Sequence, residues 1–350
     1  MTSPRYDFAS DNCSGICPEA AAALDEANRG AAAAYGDDDW TRRLRDCVRE
    51  LFEIDCDVFL VGNGTAANAL ALAQLCQPFH SIICHEQAHI DNDECGAVEF
   101  YTRGSKLIPT PGKNGKLDLG QVESALGRQH ELHSHKPRAL SITQATELGT
   151  MYRPGEIRAI AEFAARRTML LHMDGARFAN AIATLRCAPK EITWQAGVDV
   201  LCFGGTKNGL AAGELVIFFD KKHSAEFDYR RKQAGQLFSK MRYLAAPWLR
   251  LLENDLWLKN ANRANAAAKK LADALSQLGA EIIFPTEANA IFVRLHPHIA
   301  TKLHESGWQF YEFIPPDVYR LMCSWAVEDE AIAALMNDFQ MARSCADAAA

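Results

Sequence analysis

The sequence predicts an α/β protein: a mostly parallel sheet covered on both faces by helices, followed by a smaller α+β C-terminal unit. Two observations carry this. Between residues 58 and 203, short apolar runs alternate with longer stretches of helical spacing. That strand–helix–strand rhythm builds parallel sheets. From residue 247 a long Ala- and Leu-rich helical region leads to three short strands near 281–284, 291–295 and 308–314. The expected division is 1–250 for the larger domain and 251–350 for the smaller.

Composition narrows the function. The chain has 350 residues, a net charge of −7 and 48% hydrophobic content, which suits a globular protein with a large core. An acidic balance argues against nucleic acid as a partner, because phosphate binding wants clustered Lys and Arg. No apolar run approaches the ~20 residues that cross a bilayer, and no basic-then-apolar leader opens the chain. The 11 cysteines are scattered without CxxC spacing, as expected of reduced thiols in a cytoplasmic protein. Cys13 and Cys17 have no second pair and read as small thiols rather than metal ligands.

Taken in order, residues 18–29 have helical spacing, with Pro18 fit for a first turn and Gly30 for a stop. Residues 41–52 read as a second helix. A strand at 58–61 is broken by Gly62-Asn63-Gly64-Thr65, and 66–76 continues as a helix. Strand, Gly-rich turn and helix bring backbone N–H groups and a positive helix end to one point, a cradle for phosphate. It is not a Walker loop, since no GK[ST] follows. The strand at 81–84 runs into His85-Glu86-Gln87-Ala88-His89. This satisfies HExxH, but that zinc chemistry needs both imidazoles on one helix face, and a strand leading into a loop is the wrong context. Residues 91–104 are mixed. Residues 107–117, with Pro109, Pro111, Gly112 and Gly115, read as loop. Residues 119–129 read as helix, and the His-rich 130–136 as a solvated loop. A strand at 139–143 ends at Gln144-Ala145-Thr146-Glu147. In 154–166, Ile157, Ile160, Ala161 and Ala164 share one side of a helix. The basic run from Arg230 to Arg242 reads as a solvated helix face.

The stretch with the most chemistry is LCFGGTKNGLAAG, residues 201–213. It places Lys207 in a small-residue turn between apolar strands at 198–203 and 214–219. An amine there is suited to the Schiff base that holds pyridoxal 5'-phosphate (PLP). Upstream, the strand at 169–173 ends at Asp174-Gly175-Ala176-Arg177. A carboxylate at that strand end can pair with the pyridinium nitrogen and keep it protonated. The Arg177 fork suits a substrate carboxylate, and Thr206 could donate to the phosphate.

HMDGAR followed by FGGTKNG resembles the threonine aldolases, PLP enzymes of fold type I (aspartate aminotransferase-like), and the similarity runs from about residue 8 to about 325. The resemblance implies cleavage of L-threonine, L-allo-threonine and related β-hydroxy-α-amino acids, phenylserine types included, to glycine and an aldehyde. It implies that Gly64 and Thr65, with Asn68, meet the phosphate, and that His89 stacks on the cofactor ring. Ser10, Arg177 and Arg320 would hold the substrate carboxylate, and Tyr35 would lie near the site. Lys240 would approach the phosphate of a neighbouring subunit in a homo-oligomer, a tetramer built as a dimer of dimers. No metal is expected. One departure stands out: where many relatives have Thr-His, this chain has Thr146-Glu147. The expected base is therefore Glu147, with His89 assisting; the phosphate acting through water is the alternative. Competing readings are a β-eliminating lyase or aminotransferase of the same fold, a zinc hydrolase on HEQAH, and a non-catalytic protein that keeps the fold.

Overall fold

The computed structural model describes residues 3–128 and 131–347. Its larger sheet has seven strands: β1 Asp57–Val61, β2 His80–His85, β3 Lys106–Thr110, β4 Lys136–Thr143, β5 Leu170–Gly175, β6 Val200–Gly204 and β7 Glu214–Phe218. Their order is β1-β7-β6-β5-β4-β2-β3. The pairs among β2 to β6 are parallel, and β7 alone runs against both its neighbours.

Alternation along the strands explains why both faces are covered. Leu201 and Phe203 of β6 point into one apolar cluster, with Phe52 and Ile160 from the helices Asp39–Phe52 and Pro154–Ala165. Val200 and Cys202 point into the other, with Leu70 and Leu72 from the helix Gly64–Leu75. A period of two in the strand thus feeds two layers of helix.

A second, antiparallel sheet comprises β8 Glu281–Ile282, β9 Ala290–Arg294, β10 Tyr311–Ile314 and β11 Val318–Met322, in the order β10-β11-β9-β8. The helix Leu256–Gln277 joins the two cores: Trp257 and Ala261 pack in the larger, Leu271 and Leu275 in the smaller. The N-terminal stretch packs with the small sheet. Phe8 lies against Trp308 with ring centroids 5.5 Å apart, and the Met322 N–H donates to the Phe8 carbonyl at 2.9 Å.

Several local expectations change. Residues 107–117 are not all loop, because Lys106–Thr110 forms the edge strand β3. Pro109 lacks an N–H, which an edge strand tolerates. The strand near 308–314 begins only at Tyr311, and Val318–Met322 adds a strand that the sequence reading passed over. Arg231 does not lie on a solvated face: it is buried, and its guanidinium donates to the Leu60 carbonyl at 3.0 Å and to Asp228 at 2.6 Å. In the His-rich run, Glu131–His133 forms one 3₁₀ turn, while Gln129 and His130 lie outside the described residues. HEQAH spans the end of β2, a turn and the start of the four-residue helix His89–Asn92, so its imidazoles share no helix face. Among the described residues no group of three His, Cys, Asp or Glu is arranged to hold a metal, and no helix is long and apolar enough to cross a membrane.

The turn after β6 is packed to contact. A Cβ on Gly204 would stand 2.6 Å from the Ala176 carbonyl oxygen, and one on Gly205 would stand 2.5 Å from the Trp248 ring. Only glycine fits either place, which is how the chain brings the following residues, Thr206 and Lys207, tight against the strand ends.

Candidate active site

The parallel strands end on one side of the sheet, and a cavity of about 320 Å³ opens there. Gly64 and Thr65 after β1, His89 after β2, Asp174 on β5, and Thr206 and Lys207 after β6 all line it. Open parallel sheets place ligands at these carboxyl ends. A wider groove of about 610 Å³ lies where β5 and β6 begin, and none of the candidate residues line it.

Lys207 is half-buried on the cavity wall. Burial and the nearby Arg177 charge push its amine below the ordinary lysine range, while Asp11 and Asp174 pull the other way. A lowered amine pKa makes a better nucleophile near neutrality. Asp174 is buried, with Oδ2 accepting from the Asn68 amide at 2.8 Å and Oδ1 from the Ala176 N–H at 2.9 Å. Both oxygens are thereby aimed.

Gly64 and Thr65 open a helix whose N-cap is Asn63. The Asn63 side chain takes the Ala66 N–H at 2.9 Å, and its carbonyl takes the Ala67 N–H at 3.1 Å. Among the described residues the N–H groups of Gly64 and Thr65 have no acceptor. Two free donors at a helix N-terminus make an anion site.

His89 and Glu147 meet through the backbone. Glu147 Oε1 accepts the His89 N–H at 3.0 Å and the Thr143 hydroxyl at 2.7 Å, while Oε2 is shielded from solvent with no partner. Burial pushes the Glu147 carboxyl up to about 7. The His89 ring bonds Glu94 through Nδ1 at 2.9 Å, and that bond raises the imidazole above its ordinary value. Glu94 also accepts from Asn68 at 2.8 Å, so one amide ties Asp174 to the His89–Glu94 pair.

The arginines divide the work differently from the sequence expectation. Arg177 precedes the helix Phe178–Leu185, and its fork is already engaged: Nε and Nη2 donate to Asp11 at 2.7 and 2.9 Å. Burial raises the Asp11 carboxyl, but the Arg177 and Lys207 charges and bonds from Arg177 and Asn289 outweigh it and hold it at about 2. Arg320, on β11, lies over the rings of Tyr311 and Phe313. It has no carboxylate partner among the described residues, and its Nε is buried without an acceptor. Burial, with Arg177 close by, lowers its pKa.

Three expectations need correction. Thr206 does not point a free hydroxyl at the cavity; it donates to Glu214 at 2.6 Å. Ser10 accepts the Asn12 N–H at 3.2 Å as a helix cap and lines a separate shallow cleft with Ser324, while Asn12 takes the place on the cavity wall. Tyr35 is exposed and does not line the cavity; Lys240 is exposed as well, and the expectation placed it at a neighbouring subunit's phosphate rather than at this cavity. Sequence reasoning missed Asp11, Glu94 and Glu214. Asp11 pairs with a residue 166 positions away, which no local pattern reports. Glu214 did carry a signal, being an acid at the head of an otherwise apolar strand.

The comparisons agree with this geometry. Residues 7–297 match the beta-eliminating lyase family. A low specificity L-threonine aldolase of Pseudomonas aeruginosa is 52% identical over 97% of this chain and 99% of its own. Another, from a Pseudomonas species, is 50% identical over 98% and 100%. The solved threonine aldolase of Leishmania major superposes with a TM-score of 0.92 at 26% identity, covering 96% of this chain and 99% of that one. Fold and site therefore define a PLP-dependent lyase of fold type I. The chain belongs to the beta-eliminating lyase family and, within it, to the low-specificity L-threonine aldolases.

The residues present fit the cofactor. One cavity offers an amine with a lowered pKa, an aimed buried carboxylate and two unpartnered N–H donors. These match an aldehyde, a ring nitrogen and a phosphate.

The Asp11–Arg177 pair yields a prediction. Asp11→Asn leaves a buried guanidinium facing a neutral partner, which should cost on the order of 3–5 kcal/mol in urea unfolding at neutral pH. The sign with pH follows from the lowered carboxyl. Its contribution is present above the unfolded value of roughly 3.9 and is lost as pH falls through about 2. Equal stability of variant and parent at pH 7 would refute the assignment.

Proposed function

We propose that this chain cleaves β-hydroxy-α-amino acids, among them L-threonine, L-allo-threonine and phenylserine-type substrates, to glycine and an aldehyde. The observation that carries the reading is the shared cavity of Lys207 and Asp174 at the strand ends. The names of the Pseudomonas relatives support the substrate class.

Lys207 would hold PLP through its amine, Asp174 would face the ring nitrogen, and Gly64 and Thr65 would meet the phosphate. When bound, PLP supplies an electron sink for the pair left on Cα when the Cα–Cβ bond breaks. The substrate carboxylate goes to Arg320, whose guanidinium pairs with no carboxylate among the described residues, with the remaining N–H donors of Arg177 beside it. Glu147 takes the proton from the β-hydroxyl oxygen, and the C–O bond becomes the aldehyde carbonyl. Its solvent-shielded Oε2 suits this, and burial gives it a basicity matched to neutral pH. His89, fixed by Glu94, lends its ring to the cavity wall. A proton delivered to Cα then gives glycine.

The same reading makes the chain a homo-oligomer, a dimer of dimers. Support comes from one exposed patch. Tyr35 and Phe238 are 48% and 40% exposed, Lys232 sits 4.5 Å from the Tyr35 ring, and the Tyr35 N–H donates to the Ser239 carbonyl. Gln236 of the same segment accepts the Gly62 N–H at 2.8 Å, and the Phe238 ring stands where a Cβ on Gly62 would meet it at 3.1 Å, beside the phosphate turn. Tyr35 and Lys240 would then serve a neighbouring site. Sedimentation is expected to give an oligomer; a monomer with full activity would exclude it.

A product assay tests the reaction. Glycine and aldehyde are expected from threonine, while ammonia and a 2-oxo acid would mark a β-elimination instead. Lys207→Ala should abolish turnover and the visible absorbance that borohydride bleaches, and turnover near the parent rate would remove Lys207 from the role. Glu147→Gln should lower kcat by at least about 10² with that absorbance intact. In the parent enzyme the ionised base accumulates as pH rises through about 7, so kcat should climb below that pH and level above it. The variant should lose this limb, whereas a loss under about tenfold would move the role to His89.

A further inference from the structure

The mechanism leaves one buried acid in the cavity wall unused. Glu214 opens β7, and its register makes it the neighbour of two loops at once: it pairs with Val61, which leads into the Gly62–Gly64 turn, and with Gly204, which leads into Thr206 and Lys207. Its Oε2 accepts the Gly205 N–H and its Oε1 the Thr206 hydroxyl, both at 2.6 Å. It is 6% exposed and lines the same cavity as Gly64 and Thr65. A carboxylate in that place opposes the anion site beside it.

We propose that Glu214 is the proton carrier of the cofactor's phosphate site: it takes up a proton when the phosphate binds, and so turns Thr206 from a donor to Glu214 into a donor to the phosphate. This rests on the PLP reading above. In the free protein an ionised Glu214 accepts with both oxygens, which consumes the only hydrogen of the Thr206 hydroxyl. When one proton from solvent adds to Oε1, the new O–H donates to the Thr206 oxygen. The Thr206 hydrogen is then free for a phosphate oxygen, while Oε2 keeps the Gly205 N–H. One charge is removed where a second anion arrives, and no hydrogen-bonding group is orphaned.

The surroundings agree. Burial already pushes the Glu214 carboxyl up to about 7, so its proton is within reach at neutral pH. The Thr206 hydroxyl and the Gly205 N–H pull it down, and so does the charged group facing it, the Lys207 amine on the same turn. From β6 the Cys202 thiol faces it, itself pushed well above its ordinary range by burial. From the helix Arg242–Leu252 comes the apolar Trp248, whose indole donates to the Gly213 carbonyl. Adding a dianionic phosphate raises the carboxyl further.

Calorimetric titration of the cofactor-free protein tests this, with PLP and with pyridoxal (which lacks the phosphate), in buffers of different ionisation enthalpy to count protons. At pH 8 the parent should take up more protons per PLP bound than Glu214→Gln, by a difference approaching one. With pyridoxal the difference should vanish. Gln mimics the protonated acid, so the variant should bind PLP more tightly than the parent above pH 7, with the gap opening up to tenfold per pH unit. A residue with a merely structural role would weaken binding instead. The parent alone gives a second readout: from pH 7 to 9 its PLP affinity should fall relative to its pyridoxal affinity. Equal proton counts in parent and variant, or a constant PLP-to-pyridoxal ratio, would overturn the proposal while leaving the cofactor reading intact. Absence of any PLP binding would overturn both.

Discussion

The buried pair between Asp11 and Arg177 is the interaction on which the site depends. Asp11 comes from the N-terminal stretch, Arg177 from the turn after β5, and Asn289, which donates to Asp11 at 3.0 Å, from the segment before β9. Three parts of the chain distant in sequence are thus fixed to one carboxylate. Asn289 also donates to the Cys323 carbonyl, just past β11, the strand that carries Arg320. The distance between the two arginines is therefore set by a chain of bonds through Asp11 rather than by either sheet alone. Breaking such a pair strands a charge, so the arrangement is all-or-nothing.

That pair also explains why two arginines stand close together without a bridging acid of their own. Arg177 is neutralised by Asp11 and leaves donors to spare; Arg320 is not neutralised and rests its flat face on Tyr311 and Phe313. Aromatic faces stabilise a guanidinium without consuming its N–H donors. The result is a half-buried cation whose donors remain available for a carboxylate.

Much of this was legible in the sequence for a physical reason. Fully buried strands are continuous apolar runs, so β2, β5, β6 and β7 announced themselves, and functional side chains of parallel sheets cluster where such runs end. Lys207 and Asp174 were found this way, the resemblance added His89 and assigned Gly64 and Thr65 to the phosphate, and all five line one cavity. β3 was missed because Pro109 and the glycines after it read as loop, although an edge strand needs only half its hydrogen bonds. Asp11 and Glu94 were missed because their partners are set by tertiary contact. Thr206 was misread for the same reason: a hydroxyl beside a lysine looks free until the strand that folds back brings Glu214 against it. The resemblance pointed to Ser10, but the side chains that reach the ion pair and the cavity wall are those of its neighbours Asp11 and Asn12.

The departure at Glu147 gains sense from the charges around it. Half-buried cations from Lys207, Arg177 and Arg320 face Asp11 and Asp174, and the His89–Glu94 pair carries no net charge whichever partner holds the proton. With Glu147 and Glu214 protonated, the set is left one positive charge in excess; with both ionised, it is one negative. Both acids are pushed up to about 7 by burial, so the sign of this set changes near neutrality. Phosphate and substrate carboxylate are both anions and favour the protonated state, whereas accepting a hydroxyl proton requires Glu147 ionised. An imidazole in its place would gain the same single charge on taking the proton but would start neutral, leaving the set one charge more positive throughout. A carboxylate base in its working, ionised form therefore offsets one of the three nearby cations, which a neutral imidazole would not.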